Sequence, residues 1–313
     1  MKNLLKTFIV PYDNVAEELP ASLTFADLNF ANPVVGVGIK AYQGLAHLQT
    51  VQTKTPKFSL NVGDADIDVY TVQPEDNEIR PAILYCHGGG FMFPLQPCMI
   101  NNSKLFAERL GVRVFLPDFR YAPKDPYPAP FEDCYKTYLY MLDHAEELHI
   151  DPDRILIYGD SAGGAQAAGL CLKARDEGVK APIAQMLIYP VTDNSQTSAS
   201  LDKYAYGSWS KTSNKHMWDF YLKNGDFGHL EYAAPLRAKD FSNLPQAFVE
   251  PAEVDCLCDE GIAYAEKMKA AGVPVEMHIT KGAYHGFDQR LDNPVTVRAM
   301  DIRINWMKTV LGI

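Results

Sequence analysis

Ser161, Asp255 and His285 carry the side chains that covalent acyl transfer needs. A serine hydroxyl attacks a carbonyl carbon when an imidazole removes its proton, and a carboxylate behind the imidazole fixes the tautomer and stabilises the imidazolium. Ser161 stands in Gly159-Asp160-Ser161-Ala162-Gly163. This is the G-x-S-x-G spacing, in which a serine is held on a sharp, strained turn where side chains two residues away would collide. A plainer reading, a serine capping a glycine-rich helix start, also suits the pentapeptide. The strand-like run before it and the helix-tolerant run after it favour the exposed turn.

His285 lies in Gly282-Ala283-Tyr284-His285-Gly286-Phe287. The acid belongs to segment 252–261, just past a strand, where Asp255 and Asp259 both stand. Asp259 directly precedes Glu260 and a helical run, a place suited to a capping carboxylate, so Asp255 is the first choice. Asp288 is tied to the same loop as His285 and is not favoured. A second chemical signal is His87-Gly88-Gly89-Gly90-Phe91. Three successive glycines leave backbone N–H groups unshielded, so two can point at one oxygen, which is an oxyanion hole in sequence form. His87 is expected to brace this loop, and His47, His144, His149, His216, His229 and His278 to be surface or packing residues.

These side chains need rigid supports, and the chain alternates strands with helices. The run 154–158 is apolar without period-2 alternation, as a strand covered on both faces is, and runs 82–86, 112–116, 183–189, 246–250 and 275–279 complete a series of strands. Runs 58–62 and 67–72, parted by Gly63-Asp64-Ala65-Asp66, read as an antiparallel hairpin at one sheet edge. Helices are expected at 101–110, 131–148, 162–174, 260–271 and 295–311, with a weaker one at 33–48. The resulting fold class is α/β: one domain, 1–313, with a mostly parallel sheet and helices on both faces. A cap is expected from about 1–55 and from 191–244. The second of these segments breaks the strand rhythm and crowds aromatic residues, among them Tyr206, Trp209 and Trp218. An insertion there would overlie the carboxyl ends of the strands, so these aromatics are candidates to line a substrate pocket.

Composition excludes several classes. A net charge of -10 with no basic cluster argues against nucleic acid or an anionic membrane surface as partner. No apolar run approaches the ~18 residues that would span a bilayer. Residues 1–11 have a basic start but are interrupted by Lys6 and Pro11, so no signal peptide is expected. Six cysteines with no finger-like spacing point to reduced thiols, a cytoplasmic location and no structural metal. Oligomeric state is not encoded legibly, and a homodimer stays open.

Four motifs together resemble the hormone-sensitive-lipase-like family of α/β-hydrolase carboxylesterases. They are His87-Gly88-Gly89-Gly90, Asp118-Phe119-Arg120-Tyr121-Ala122-Pro123, Gly159-Asp160-Ser161-Ala162-Gly163-Gly164, and the pair formed by 255–261 with His285-Gly286-Phe287. The order serine, acid, histidine is that of α/β-hydrolases. The resemblance spans roughly residues 80 to 290. It implies an α/β-hydrolase fold with an eight-stranded sheet, an oxyanion hole from Gly89, Gly90 and Ala162, and a cap built from the amino-terminal region plus 191–244. Lys124 stands where the family often has Glu, and Cys256 and Cys258 replace the usual Pro and Arg, departures that bear on substrate preference. The expected function is a serine carboxylesterase acting on small to medium acyl esters through an acyl-enzyme, with no cofactor. Amidase or deacetylase activity on the same triad, or a non-catalytic ligand receptor, are the alternatives.

Overall fold

The computed structural model describes residues 12, 14–20 and 33–313. Of the segments discussed above, residues 1–11, 13 and 21–32, which include much of the amino-terminal part of the expected cap, lie outside the described residues.

The strands are β1 (Lys57–Asn61), β2 (Asp66–Val72), β3 (Arg80–Cys86), β4 (Arg113–Pro117), β5 (Ile150–Asp160), β6 (Ala184–Ile188), β7 (Gln246–Glu250), β8 (Ala252–Val254), β9 (Val275–Met277) and β10 (Thr280–Tyr284). Eight of them form one sheet in the order β1-β2-β4-β3-β5-β6-β7-β9. The β1–β2 and β2–β4 pairs are antiparallel, and from β4 onward every pair is parallel. The hairpin at the edge turns through Gly63 at φ +97°, a conformation glycine adopts at little cost.

Helices α1 (Pro33–Gln52), α2 (Pro97–Leu110), α3 (Ala129–Asp143), α4 (Ala162–Asp176), α5 (Ala199–Lys203), α6 (Lys211–Tyr221), α7 (Leu230–Ala233), α8 (Cys258–Ala270) and α9 (Pro294–Leu311) complete the chain. Apolar residues of the central strands divide by alternation between two buried clusters. Leu84, Cys86, Ile155 and Ile157 face one, and Ile83, Tyr85, Leu156 and Tyr158 face the other. Both sheet faces are therefore dry, which is why these strands read as continuous apolar runs. Helix α4 is buried along most of its length, and its small residues permit that. A Cβ at Gly169 would come within 2.1 Å of the Tyr232 carbonyl oxygen on α7.

Among the elements that differ from the sequence reading, three have a visible cause. Helix α2 starts at Pro97, four residues before the expected start, because proline suits the first helical turn and its missing N–H is no loss there. Helix α3 stops at Asp143, and residues 144–149 fold back so that the amide of Ile150, the first residue of β5, reaches the Ala145 carbonyl. The run 275–279 is not one strand. After Met277 the chain leaves the main sheet, and β10 pairs in parallel with β8 in a separate two-stranded sheet. Among the described residues no helix is long and apolar enough to cross a membrane.

Candidate active site

Ser161 occupies the single residue between β5 and α4 at φ +56° and ψ −122°, a backbone conformation that a non-glycine residue adopts only under constraint. The constraint is visible on every side. The Ser161 amide donates to the Ile188 carbonyl at 2.9 Å, and the Ser161 carbonyl accepts the Gly164 and Val191 amides, each at 2.9 Å. The flanking glycines are required by contact: a Cβ on Gly159 would lie 2.1 Å from the Gly163 carbonyl oxygen, and one on Gly163 would lie 1.9 Å from that of Cys86.

His285 follows β10 and Asp255 follows β8, so the small two-stranded sheet carries both toward the turn at Ser161. His285 Nε2 lies 2.8 Å from Ser161 Oγ, and His285 Nδ1 lies 2.7 Å from Asp255 Oδ2. The Asp255 carboxylate can only accept there, so Nδ1 carries the proton and Nε2 is left to accept one from the serine. Asp255 is buried, and its Oδ1 accepts the Leu257 amide at 3.0 Å. Asp259 does not cap its own helix as expected. Its Oδ2 accepts the Ser200 amide at 2.7 Å, and its amide donates back to Ser200 Oγ at 3.1 Å, so it holds the start of α5 instead. The reason is that α8 begins two residues before the expected start, at Cys258, which places Asp259 inside the helix.

Behind this row lies a second charged group. Arg303 on α9 is fully buried and donates to both carboxylate oxygens of Glu250 on β7, at 2.7 and 2.9 Å. It also donates to Asp288 Oδ2 at 2.6 Å, and the Tyr189 hydroxyl donates to Asp288 Oδ1. Asp288 is thus engaged by Arg303 and Tyr189, while Asp255 holds the imidazole.

The glycine loop follows β3. Gly89 and Gly90 have φ of +116° and +60° and line the same cavity as Ser161 and His285. Ala162 is the first residue of α4. The Gly88 amide donates to Asp160 Oδ1 at 3.2 Å. His87 is buried, stacked on Phe119 with ring centroids 4.0 Å apart, and its Nδ1 donates to the Gly88 carbonyl at 2.7 Å. Burial pushes the His87 imidazole down to about 4, so it stays neutral and packs rather than titrates at neutral pH.

The cavity measures about 410 Å³. Tyr42 from α1, Phe93 and Trp209 contribute aromatic wall, while Tyr85, Asn102, Asp160, Tyr189 and Asp288 line its polar part. Of the three cap aromatics singled out in the sequence, Trp209 lines the cavity. Trp218 does not, because its ring is packed into a buried group with Phe91 and Tyr221. Tyr206 points away from the core and is 60% exposed. Nothing in local periodicity marks Tyr42, Asn102 or Tyr189 as cavity residues, since each arrives from a different element. The six cysteines are free, and burial pushes the Cys98 and Cys258 thiols up to about 12, so neither is a nucleophile. Among the described residues no group of three or more His, Cys, Asp or Glu side chains is placed to hold a metal ion.

Known proteins show the same arrangement of chain. A family model described as alpha/beta hydrolase fold matches residues 83–289. Esterase LipI of Mycobacterium tuberculosis is 34% identical over 222 residues, 68% of this chain and 67% of that protein. Carboxylesterase NlhH of the same organism is 32% identical over 237 residues, 72% of each. A solved bacterial heroin esterase superposes with a TM-score of 0.81 at 32% identity, covering 97% of this chain and 99% of the other. The chain belongs to the alpha/beta hydrolase fold family, among its hormone-sensitive-lipase-like carboxylesterases.

Proposed function

We propose that this chain, a carboxylic ester hydrolase by family, works as a serine carboxylesterase through an acyl-enzyme on small to medium acyl esters. The observation that carries the reading is the unbroken hydrogen-bonded row from Ser161 through His285 to Asp255, opening into a cavity of about 410 Å³. Ser161 attacks the ester carbonyl while His285 Nε2 takes its proton, and Asp255 holds the other ring nitrogen and steadies the imidazolium. His285 then gives the proton to the departing alcohol. A water molecule, deprotonated by the same imidazole, releases the acid and restores Ser161.

The developing oxyanion is assigned to the amides of Gly89, Gly90 and Ala162, each such donor contributing roughly 3 kcal/mol to the transition state. The positive φ of Gly89 and Gly90 and their place in the cavity wall support this role. The insertion 191–244 and the described part of the amino-terminal region act as the cap, for Trp209 and Tyr42 bring both to the cavity. Aromatic walls and modest volume favour acyl chains of up to roughly eight carbons. A ligand receptor on this fold would have no need of an aligned serine, histidine and aspartate.

Hydrolysis of p-nitrophenyl esters from acetate to palmitate, alongside matched p-nitroanilides, tests the reading. Turnover that peaks at short or medium esters and is absent in Ser161→Ala is expected. Equal rates in Ser161→Ala, or palmitate cleaved faster than butyrate, would overturn the mechanism or the size preference respectively.

A further inference from the structure

The polar part of the cavity beside Ser161 is built from hydrogen-bond acceptors with too few donors. Asp160 lines it and forms no ion pair among the described residues; its carboxylate takes only neutral donors, the Gly88 amide at 3.2 Å and the Tyr85 hydroxyl. Asp288 lines it as well, but the one guanidinium beside it, Arg303, is shared with Glu250. Two carboxylates thus share a single buried cation, and Asp160 stands near one of them, Asp288, with no cation of its own. Asn102 on α2 points to the same need: it is 5% exposed, it lines the cavity, and its Oδ1 has no hydrogen-bond partner among the described residues. A buried acceptor left unpaired is costly, so the lobe is incomplete without a donor.

Neutral hydrogen-bond donors would satisfy Asn102 but leave the excess negative charge. An alkylammonium satisfies both, since its N–H groups donate and its charge balances Asp160. The rings of Tyr85 and Tyr189, which line the same lobe, add faces to which cations are drawn. We propose that this lobe is a subsite for a protonated amine, so that the esters this chain hydrolyses best carry an alkylammonium group on the alcohol or the acyl side. The inference rests on the esterase reading above and specifies its substrate class. The state of Asp160 agrees with it: burial, and next the Asp288 carboxylate, push its carboxyl up to about 7, so the side chain ionises readily once a cation arrives.

Two pairs of isosteric esters test the proposal at neutral pH. On the alcohol side, 2-(dimethylamino)ethyl acetate is compared with 3-methylbutyl acetate. On the acyl side, ethyl 4-(dimethylamino)butanoate is compared with ethyl 5-methylhexanoate. Each kcat/KM is corrected for the ester's alkaline hydrolysis rate. In at least one pair the amine ester should lead by about tenfold or more, the scale of one charge-assisted hydrogen bond. Asp160→Asn keeps an acceptor for the Gly88 amide but removes the charge, and should bring the ratio toward one, chiefly by raising KM for the amine ester. Asn102→Leu, which leaves the Ser161 turn untouched, should lower the ratio in part and decides the matter if Asp160→Asn does not fold. Ratios at or below one in both pairs, or a ratio unchanged by the substitutions, would overturn the subsite while leaving the esterase reading intact. Absence of turnover for neutral and amine esters alike would overturn the esterase reading itself.

Discussion

Asp259 accepts the Ser200 amide at 2.7 Å and receives nothing from the imidazole, whereas Asp255, four residues earlier, lies 2.7 Å from His285 Nδ1. The two carboxylates therefore serve different parts of the molecule. Asp255→Asn should lower kcat by ~10³ to 10⁴, because asparagine supports the wrong imidazole tautomer. Asp259→Asn should cost about 1 kcal/mol or less of stability and keep most activity, since asparagine still accepts a backbone N–H. Steady-state kinetics and urea unfolding of both variants check the assignment, and the reverse pattern would exchange the two roles.

A side chain at position 90 has nowhere to go. Gly90 sits at φ +60°, and a Cβ there would lie 2.6 Å from the Trp209 ring. Gly90→Ala should cut kcat/KM by about 10², the penalty for displacing a catalytic group by roughly 1 Å. Adding Trp209→Leu should recover part of that loss. A double-mutant cycle measures the coupling, and strictly additive losses would show that the ring is not the obstacle.

Strain at Ser161 gives a stability test separate from activity. At φ +56° a Cβ is unfavourable by ~1 to 2 kcal/mol, and glycine escapes that penalty. Ser161→Gly and Ser161→Ala should both be inactive, but the glycine variant should be the more stable of the two by about 1 kcal/mol. Equal unfolding midpoints would mean that the turn is not strained.

Stability against pH should reveal two buried groups that oppose each other. His87 is held down to about 4 by burial, so as pH falls below ~6.5 the unfolded chain takes up a proton that the fold refuses, and stability is lost. Asp160 is pushed up to about 7, chiefly by burial, so the fold keeps a proton that the unfolded chain releases near ~3.9, and stability is lost as pH rises through that interval. Between pH ~4 and ~6.5 the slopes, each about 1.4 kcal/mol per pH unit, nearly cancel. Asp160→Asn should therefore make stability rise more steeply with pH than in the native chain, and His87→Asn should make it fall. Urea unfolding across this window measures both slopes, and parallel curves for all three proteins would contradict the two shifts.

Much of this architecture was legible because it is local. A strand dry on both faces is an apolar run, and a serine turn that tolerates no Cβ two residues away must have glycine at 159 and 163, so both features are written in consecutive residues. The order of Ser161, Asp255 and His285 likewise follows from the succession of strands. What escaped is what depends on distant elements meeting. Asp259 looked like a cap for the helix next to it, yet it holds α5 across 59 positions of sequence. Trp209 and Trp218 are indistinguishable by composition, but one faces the cavity and the other the core. The acceptor-rich lobe draws Tyr85, Asn102, Asp160, Tyr189 and Asp288 from separate segments, and no periodicity relates them.

Arg303 links positions 250 and 288 through a charge that none of the three can give up alone. Neutralising the guanidinium would strand two buried carboxylates at a cost of roughly 3 to 5 kcal/mol, whereas replacing a whole buried ion cluster with well-packed apolar residues is often tolerated. Drift at these sites is thereby coupled. In lineages descended from this sequence, 250, 288 and 303 should change together or not at all, although none of the three carries out a bond-making step.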